Sequence, residues 1–319
     1  MQYAELGHSG IKVSRVCAGC MSYGKRNENY PWILEKEDTE QIVKRALDLG
    51  INFFDTANVY ANGTSEEYLG SALRNNAARD QVVVATKVFY NKGHLSKQAI
   101  EREIDASLKR LGMDYIDLYI IHRFDKRTPV EETMEALDGL IKAGKVRAIG
   151  ASSMYAYQFY KMQIAAKENG WTQFTAMEDH YNLLYREEER EMIPLCREMN
   201  VALMPYSSLA GGRLTKAGWA KETLRSQTDS AARMKYDGTR DTDIVIVDRV
   251  EELAKKYGCK MSQIALAWHF AKGITSPIVG ATKPVYFEDA DAALEIALTE
   301  EDVNYLEEAY LPHKVFGPV

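Results

Sequence analysis

The sequence predicts a single α/β domain, a (β/α)8 TIM barrel, from three observations. Short apolar runs alternate with amphipathic helical stretches along the whole chain, glycines follow those stretches, and ionisable residues stand at the ends of consecutive apolar runs. Residues 16–19, 52–54, 82–85, 115–120, 148–150, 174–177 and 201–204 read as buried strands, with 277–279 as an eighth. Between them, residues 39–49, 65–74, 97–111, 130–143, 155–169 and 187–199 carry apolar side chains at helical spacing. Strands separated by helices run parallel through right-handed crossovers, which leaves an open doubly wound sheet or a closed barrel, and eight repeats favour closure. Gly50, Gly112, Gly144 and Gly170 each follow a helical stretch, as left-handed helix stops do. No composition break or linker divides residues 1–319, so one domain is expected. Residues 211–243 form a long polar insertion after the seventh strand, and 207–243 is read as a loop covering the site, because barrel enzymes place their sites on that face.

Composition narrows the class of function. The chain is 46% hydrophobic and 27% charged, which suits a globular enzyme and excludes disordered, collagen-like and disulfide-scaffold chains. Forty Lys and Arg against 46 Asp and Glu leave a net charge of −6, so nucleic acid is not drawn to it and a small molecule is the expected partner. No window of about 18 apolar residues and no secretory leader occurs, so a cytoplasmic location and no membrane partner are expected. The four cysteines are too scattered for a disulfide framework. Cys17-Ala-Gly-Cys20 has redox or zinc spacing but lacks a second ligand pair, so strand packing is expected and no metal site. Mixed-charge helical stretches such as 185–191 fit a solvated face as well as an interface, and no oligomeric state is predicted.

Three consecutive strands end in ionisable groups: GINFFDTANVY supplies Asp55 and Tyr60, VVVATK supplies Lys87, and YIDLYIIH supplies His122. In a barrel, successive strand ends surround one mouth, so these side chains converge. Singly, each has an ordinary explanation, as a helix cap, a loop anchor, a surface charge and a core histidine; together in one ring they point to catalysis. A tyrosine with an ordinary pKa of about 10 needs a nearby cation to give up its proton at neutral pH. Lys87 supplies that charge, Asp55 pairs with Lys87, and His122 orients a carbonyl oxygen. None of the four is a hydride source, so a reduction requires a nicotinamide cofactor.

Asp55, Tyr60, Lys87 and His122, in the contexts GINFFDTANVY, ATKV and IIHR, resemble the tetrad of the aldo-keto reductases. GMDYIDLYIIHR, KAGKVRAIGASS, HYNLLYREEEREMIPLCREMNVALMPYSSLAGGRL and PIVGATK extend the resemblance, in order and spacing, over nearly the whole chain. The resemblance implies a barrel that binds a nicotinamide dinucleotide, usually NADPH, and reduces aldehydes or ketones without metal or flavin. No G-x-G-x-x-G turn follows a strand, which agrees. It also implies that Ser152, Ser153 and Glu178 meet the carboxamide of the nicotinamide, that Tyr206 stacks on the ring, and that Cys20 and Met21 touch its end. Ser207, Leu209, Gly211, Gly212 and Arg213 fall in the pyrophosphate segment. Gly280, Thr282 and Lys283 fall beside the adenosine 2′-phosphate, and Asp289 beside the adenine.

Three positions depart from the family pattern. Glu178 stands where Gln is usual, Ser153 where Asn is frequent, and Tyr286 where Arg or Gln is common. An ionised Glu178 favours the cationic oxidised nicotinamide over the neutral reduced one. Tyr286 leaves Lys283 as the main cation for a 2′-phosphate, so NADPH is expected with NADH admitted, the more so because Glu288 and Asp289 stand nearby. Tyr23, Trp32, Phe89 and Phe124 are expected to rim an apolar substrate pocket. The leading expectation is a carbonyl reductase with Tyr60 as proton donor. A second keeps fold and cofactor but makes the chain a redox-sensing module with little turnover, as with the similar potassium-channel β subunits. A third, a Schiff-base lyase using Lys87, leaves the other tetrad residues without a purpose.

Overall fold

Residues 1–28, 30–219 and 224–317 are described by a computed structural model of the chain. Two short antiparallel strands, β1 (Tyr3–Glu5) and β2 (Lys12–Ser14), form a hairpin ahead of the main sheet. That sheet has eight parallel strands: β3 (Cys17–Gly19), β4 (Phe53–Asp55), β5 (Val83–Val88), β6 (Ile116–Ile121), β7 (Val146–Ser152), β8 (Ala176–Glu178), β9 (Ala202–Leu203) and β10 (Ile278–Gly280). From β3 to β9 each pairs with the next in chain order, and β10 pairs back onto β3, with Ile278 opposite Cys17. The last seam is joined by backbone hydrogen bonds: the Thr275 and Ser276 amides donate to the Leu203 carbonyl at 3.1 and 3.2 Å, and the Ile278 amide to that of Pro205 at 2.9 Å. The ring is thereby closed, as eight alternating repeats require.

Helices α1 (Lys36–Asp48), α2 (Thr64–Asn76), α3 (Lys97–Leu111), α4 (Val130–Lys142), α5 (Ala156–Asn169) and α6 (Met192–Glu198) separate successive strands from β3 to β9. Gly112 and Gly170 end α3 and α5 in the left-handed conformation, as expected from their positions. The stretch 187–199 divides into a 3-10 turn (Glu187–Glu189) and α6, with Pro194 in the first turn of α6, where a missing amide costs no helical bond. The polar insertion after β9 is largely helical: a 3-10 turn (Ala210–Thr215), α7 (Leu224–Thr228), α8 (Ser230–Tyr236) and the start of α9 (Arg240–Tyr257). Residues 220–223 of the expected covering loop lie outside the described residues. Helix α10 (Met261–Ala271) leads to β10, and α11 (Pro284–Ala292) and α12 (Glu300–Glu307) follow it.

Strand side chains alternate between two cores, because successive Cβ atoms point to opposite faces. One cluster, containing Cys17, Phe53, Val83, Ala85, Leu118, Ile120, Ala148, Ala176, Ala202, Met204 and Ile278, fills the barrel, and a larger cluster packs the sheet against the helices. Continuing each inward set by two residues carries Phe53 to Asp55, Ala85 to Lys87, Ile120 to His122, Ala176 to Glu178 and Met204 to Tyr206. The same periodicity that fills the interior thus delivers the polar residues to one end. Leu6, Ile11 and Val13 of the hairpin join the inner cluster and stop the opposite end.

Gly7, at φ +58° in the hairpin turn, lies against the entrances of β8 and β9. A Cβ there would stand 2.3 Å from the Thr175 carbonyl oxygen and 2.8 Å from that of Asn200. Gly7→Ala combines left-handed strain with a backbone clash and should cost about 2 kcal/mol or more. Urea unfolding of the variant checks this; an unchanged midpoint would show that the hairpin does not press on the barrel floor.

Candidate active site

Lys87 is fully buried at the end of β5, with its Nζ donating to both carboxylate oxygens of Asp55, at 2.6 and 2.5 Å, and to the Thr56 carbonyl at 2.9 Å. The same Nζ lies 3.4 Å from the Tyr60 hydroxyl and 3.3 Å from Glu178 Oε2. Tyr60 meets His122 edge to face at 6.0 Å between ring centroids, and Tyr90 meets His122 likewise at 5.0 Å. The four expected tetrad residues therefore form one contiguous cluster. Tyr60 is presented by a 3-10 turn in which Ala61 and Asn62 are left-handed, at φ 46° and 55°, and Thr64 Oγ1 braces it by donating to the Ala61 carbonyl at 2.7 Å. Ser153 and Ser207, at strand ends on the same mouth, are also left-handed, at φ 50° and 57°. Such strained residues persist where the surroundings over-determine them.

Burial and charge set the protonation states. Burial works against a charged Lys87, but Asp55 and Glu178 outweigh it and hold the ammonium pKa well above its usual value. Burial raises the Glu178 carboxyl well above the ordinary carboxylate range, and the Asp55 charge adds to this. The Asp55 carboxyl is raised too, against the closer Lys87 contact. Tyr60 is pushed up by burial; Lys87 acts in the lowering direction expected from the sequence, but burial, Asp55 and Glu178 outweigh it. Burial, Lys87 and Arg123 hold His122 well below its ordinary value, so its imidazole is neutral, with Nδ1 unpartnered.

The residues expected to hold a nicotinamide lie around this cluster. Ser152 and Ser153 hydroxyls are 3.2 Å apart, Ser152 stands opposite Glu178 across the β7–β8 ladder, and the Ser153 hydroxyl donates to the Tyr206 oxygen at 3.3 Å. Tyr206 stacks on His180, which stacks on Tyr185, and Lys235 Nζ of α8 sits 4.5 Å from the Tyr206 ring centroid. Ser207 accepts the Asn182 amide through its carbonyl, and Gly211 and Gly212 make a left-handed turn after the half-buried Leu209. Arg213 is buried and bonded to Asp237 at 2.5 Å, so its charge is already compensated. Lys283 caps the start of α11, exposed, with Thr282 beside it and Gly280 ending β10. Asp289 is paired with Lys260 at 2.7 Å, and Glu288 with Arg45 at 2.9 Å. Cys20 is buried, with a thiol pushed up by burial, while Met21 is exposed. A buried imidazole nitrogen and a buried carboxyl oxygen without hydrogen-bond partners among the described residues, a hydroxyl pair and an exposed lysine at a helix start fit a dinucleotide.

Among the expected substrate contacts, Phe89 packs edge to face on Tyr90, and Phe124 is half-buried against the outer core. Trp32 lies beneath the Arg225 guanidinium of α7 at 4.4 Å, and Tyr23 is fully buried in the outer core. Tyr90, half exposed against His122, joins the rim unanticipated; its place beside Phe89 in the loop after β5 is the signal that marks it. Cys17 and Cys20 are free buried thiols. No group of three or more His, Cys, Asp or Glu suited to a metal ion occurs among the described residues, and no helix there is long and apolar enough to cross a membrane.

A model of the aldo/keto reductase family matches residues 15–311. The chain belongs to that family, whose chemistry is NAD(P)H-dependent carbonyl reduction, and it is an oxidoreductase. It is 43% identical to a Schizosaccharomyces pombe protein whose name carries the words aryl-alcohol dehydrogenase, covering 99% of this chain and 98% of that one. It is 40% identical to versiconal hemiacetal acetate reductase of Aspergillus parasiticus, over 99% and 98% of the two chains. An aldo-keto reductase of Fusarium vanettenii is 41% identical, over 99% and 93%.

Behind Ser153 lies a second acid pair, Asp179 buried and Glu188 partly so. Asp179 accepts the Ser153 amide at 2.8 Å through one oxygen, and its other oxygen is unpartnered beside a small void that Glu188 also lines. Burial raises Asp179 to about 7, and burial with the Asp179 charge raises Glu188 to about 9. The folded chain thus keeps protons that the unfolded chain has lost above about pH 4.5, so stability falls as pH rises through both values. Asp179→Asn combined with Glu188→Gln should flatten that decline. Melting temperatures across neutral and mildly alkaline pH test it, and parallel curves for the two proteins would mean the pair is already ionised.

Proposed function

We propose that this chain is an NADPH-dependent reductase of aldehydes and ketones, with Tyr60 as proton donor. The observation that carries the reading is the buried Asp55–Lys87–Tyr60 chain beside a neutral His122. Tyr60, raised by burial, rests in its protonated form and can donate from its hydroxyl. As that proton leaves, Lys87 Nζ at 3.4 Å faces the phenolate and stabilises it, while Asp55 keeps the ammonium in place. The neutral His122 donates a ring N–H to the carbonyl oxygen and fixes its direction. The nicotinamide, when bound, supplies the hydride.

Ser152, Ser153 and Tyr206 would hold the nicotinamide end, and Lys283 with the first turn of α11 the 2′-phosphate. Pairing of Glu288 with Arg45 and of Asp289 with Lys260 reduces their repulsion of a phosphate and supports NADPH over NADH. Of the 207–243 segment, residues 207–219 and 224–243 serve as the cover. Lys235 against Tyr206 and Arg225 against Trp32 support that role, because they hold this segment to the end of β9 and to the loop after β3. Trp32, Phe89, Tyr90 and Phe124 give the mouth an aromatic rim, and with a relative named for an aryl alcohol they favour an aromatic carbonyl substrate.

Turnover of 4-nitrobenzaldehyde with NADPH should fall about 10²–10⁴-fold in Tyr60→Phe while NADPH binding is retained. Binding without turnover in the unaltered protein would instead favour the sensing module. Lys283→Glu should weaken NADPH binding about tenfold or more, the equivalent of ~1.4 kcal/mol, and leave NADH nearly unaffected. Fluorescence titration with each nucleotide reads that difference, and equal losses for both would remove Lys283 from the 2′-phosphate site.

A further inference from the structure

Glu178 is a buried carboxyl beside the tetrad for which the proposed chemistry has no use. It is 2% exposed at the end of β8, and its Oε2 lies 3.3 Å from Lys87 Nζ without a hydrogen-bond partner. Asp55 already holds the same nitrogen at 2.5 Å. Two carboxyl groups therefore share one ammonium inside the barrel. The other groups whose charge bears on this cluster are the Tyr60 and Tyr206 phenols and the Cys17 and Cys20 thiols, all raised by burial and neutral, the His122 imidazole, lowered by burial and neutral, and Arg123, partly exposed and bonded to the His122 carbonyl at 2.6 Å.

Counting charge decides the resting state. Among the fully buried groups, with Asp55 ionised and Lys87 protonated, charge balances only if Glu178 keeps its proton, because Arg123 is partly exposed and its charge is screened by water. A hydride donor that serves a carbonyl at Tyr60 must sit in the same mouth, and hence beside Lys87 and Glu178. Reduced nicotinamide brings no ring charge, whereas the oxidised ring brings one positive charge, which is what an ionised Glu178 would balance.

We propose that Glu178 carries a proton in the free protein and with the reduced cofactor, and releases it to solvent when the oxidised nicotinamide occupies the mouth. The inference rests on the reductase reading above. Its O–H bond breaks, the proton passes to water, and no electrons move. Oxidised cofactor then binds more tightly as pH rises, while reduced cofactor does not, so the ratio of the two affinities becomes pH-dependent through this side chain. The upward displacement of the Glu178 carboxyl by burial and by Asp55 agrees with the resting state.

The test is calorimetric titration at neutral pH in two buffers of different ionisation enthalpy, which counts the protons released on binding. The wild-type protein should release about one more proton with NADP⁺ than with NADPH, a comparison that cancels the shared 2′-phosphate. In Glu178→Gln, which keeps the shape, that difference should vanish. Equal release for the two nucleotides in the wild type, or the same excess in Glu178→Gln, overturns the proposal. The wild-type comparison decides the matter even if the variant fails to fold. Failure of both nucleotides to bind would overturn the reductase reading itself, a separate outcome.

Discussion

A lysine ammonium with no exposed surface needs compensation close at hand, since the cost of removing such an ion from water is several kcal/mol. Much of the barrel mouth can be understood as meeting that need. Asp55 reaches Lys87 because β4 and β5 are neighbours, and Glu178 reaches it from the far side of the ring. The Thr56 carbonyl takes a further donor position, and Tyr60 approaches at 3.4 Å on a strained turn. An open sheet would leave Glu178, three strands removed from Lys87, far from it. Closure of the barrel and solvation of one buried charge are thus a single constraint.

The same charge governs the electrostatics of its neighbours. It lowers His122, opposes the burial of Tyr60, and restrains Glu178 less than the shorter contact restrains Asp55. Removing it would leave two buried carboxyls without that counter-ion, so a substitution here disturbs the stability of the barrel together with the electrostatics of the mouth.

The tetrad was legible in the sequence because it lies on the period-2 continuation of apolar strands, where Asp55, Lys87 and His122 break otherwise hydrophobic runs. Tyr60 was legible only as part of a resemblance and a spacing, since a turn positions it. Glu178 stood out as a departure from a family pattern, but its contact with Lys87 depends on how far the barrel brings β8 towards β5, which a single strand does not reveal. Gly211 and Gly212, expected in the pyrophosphate segment, adopt the left-handed backbone that glycine admits, whereas the pairing of Arg213 with Asp237 joins residues too far apart for local pattern to suggest. The helices α7 and α8 are too short for periodicity to distinguish them from a polar loop. The pair β1 and β2 was not anticipated for a related reason: three-residue strands carry almost no alternation.

That hairpin has a meaning for the order in which the molecule is made. Leu6, Ile11 and Val13 are synthesised ahead of every strand of the barrel, yet the floor they complete includes Ala176 and Ala202, and β3 waits for β10 to flank it. During synthesis these apolar residues have no lasting place to go, and a hairpin made before the barrel is among the last parts to be secured. Contacts of such long sequence separation slow folding. They also make the finished barrel an all-or-nothing object, because no N-terminal portion of it contains both the stopper and the opening it fits.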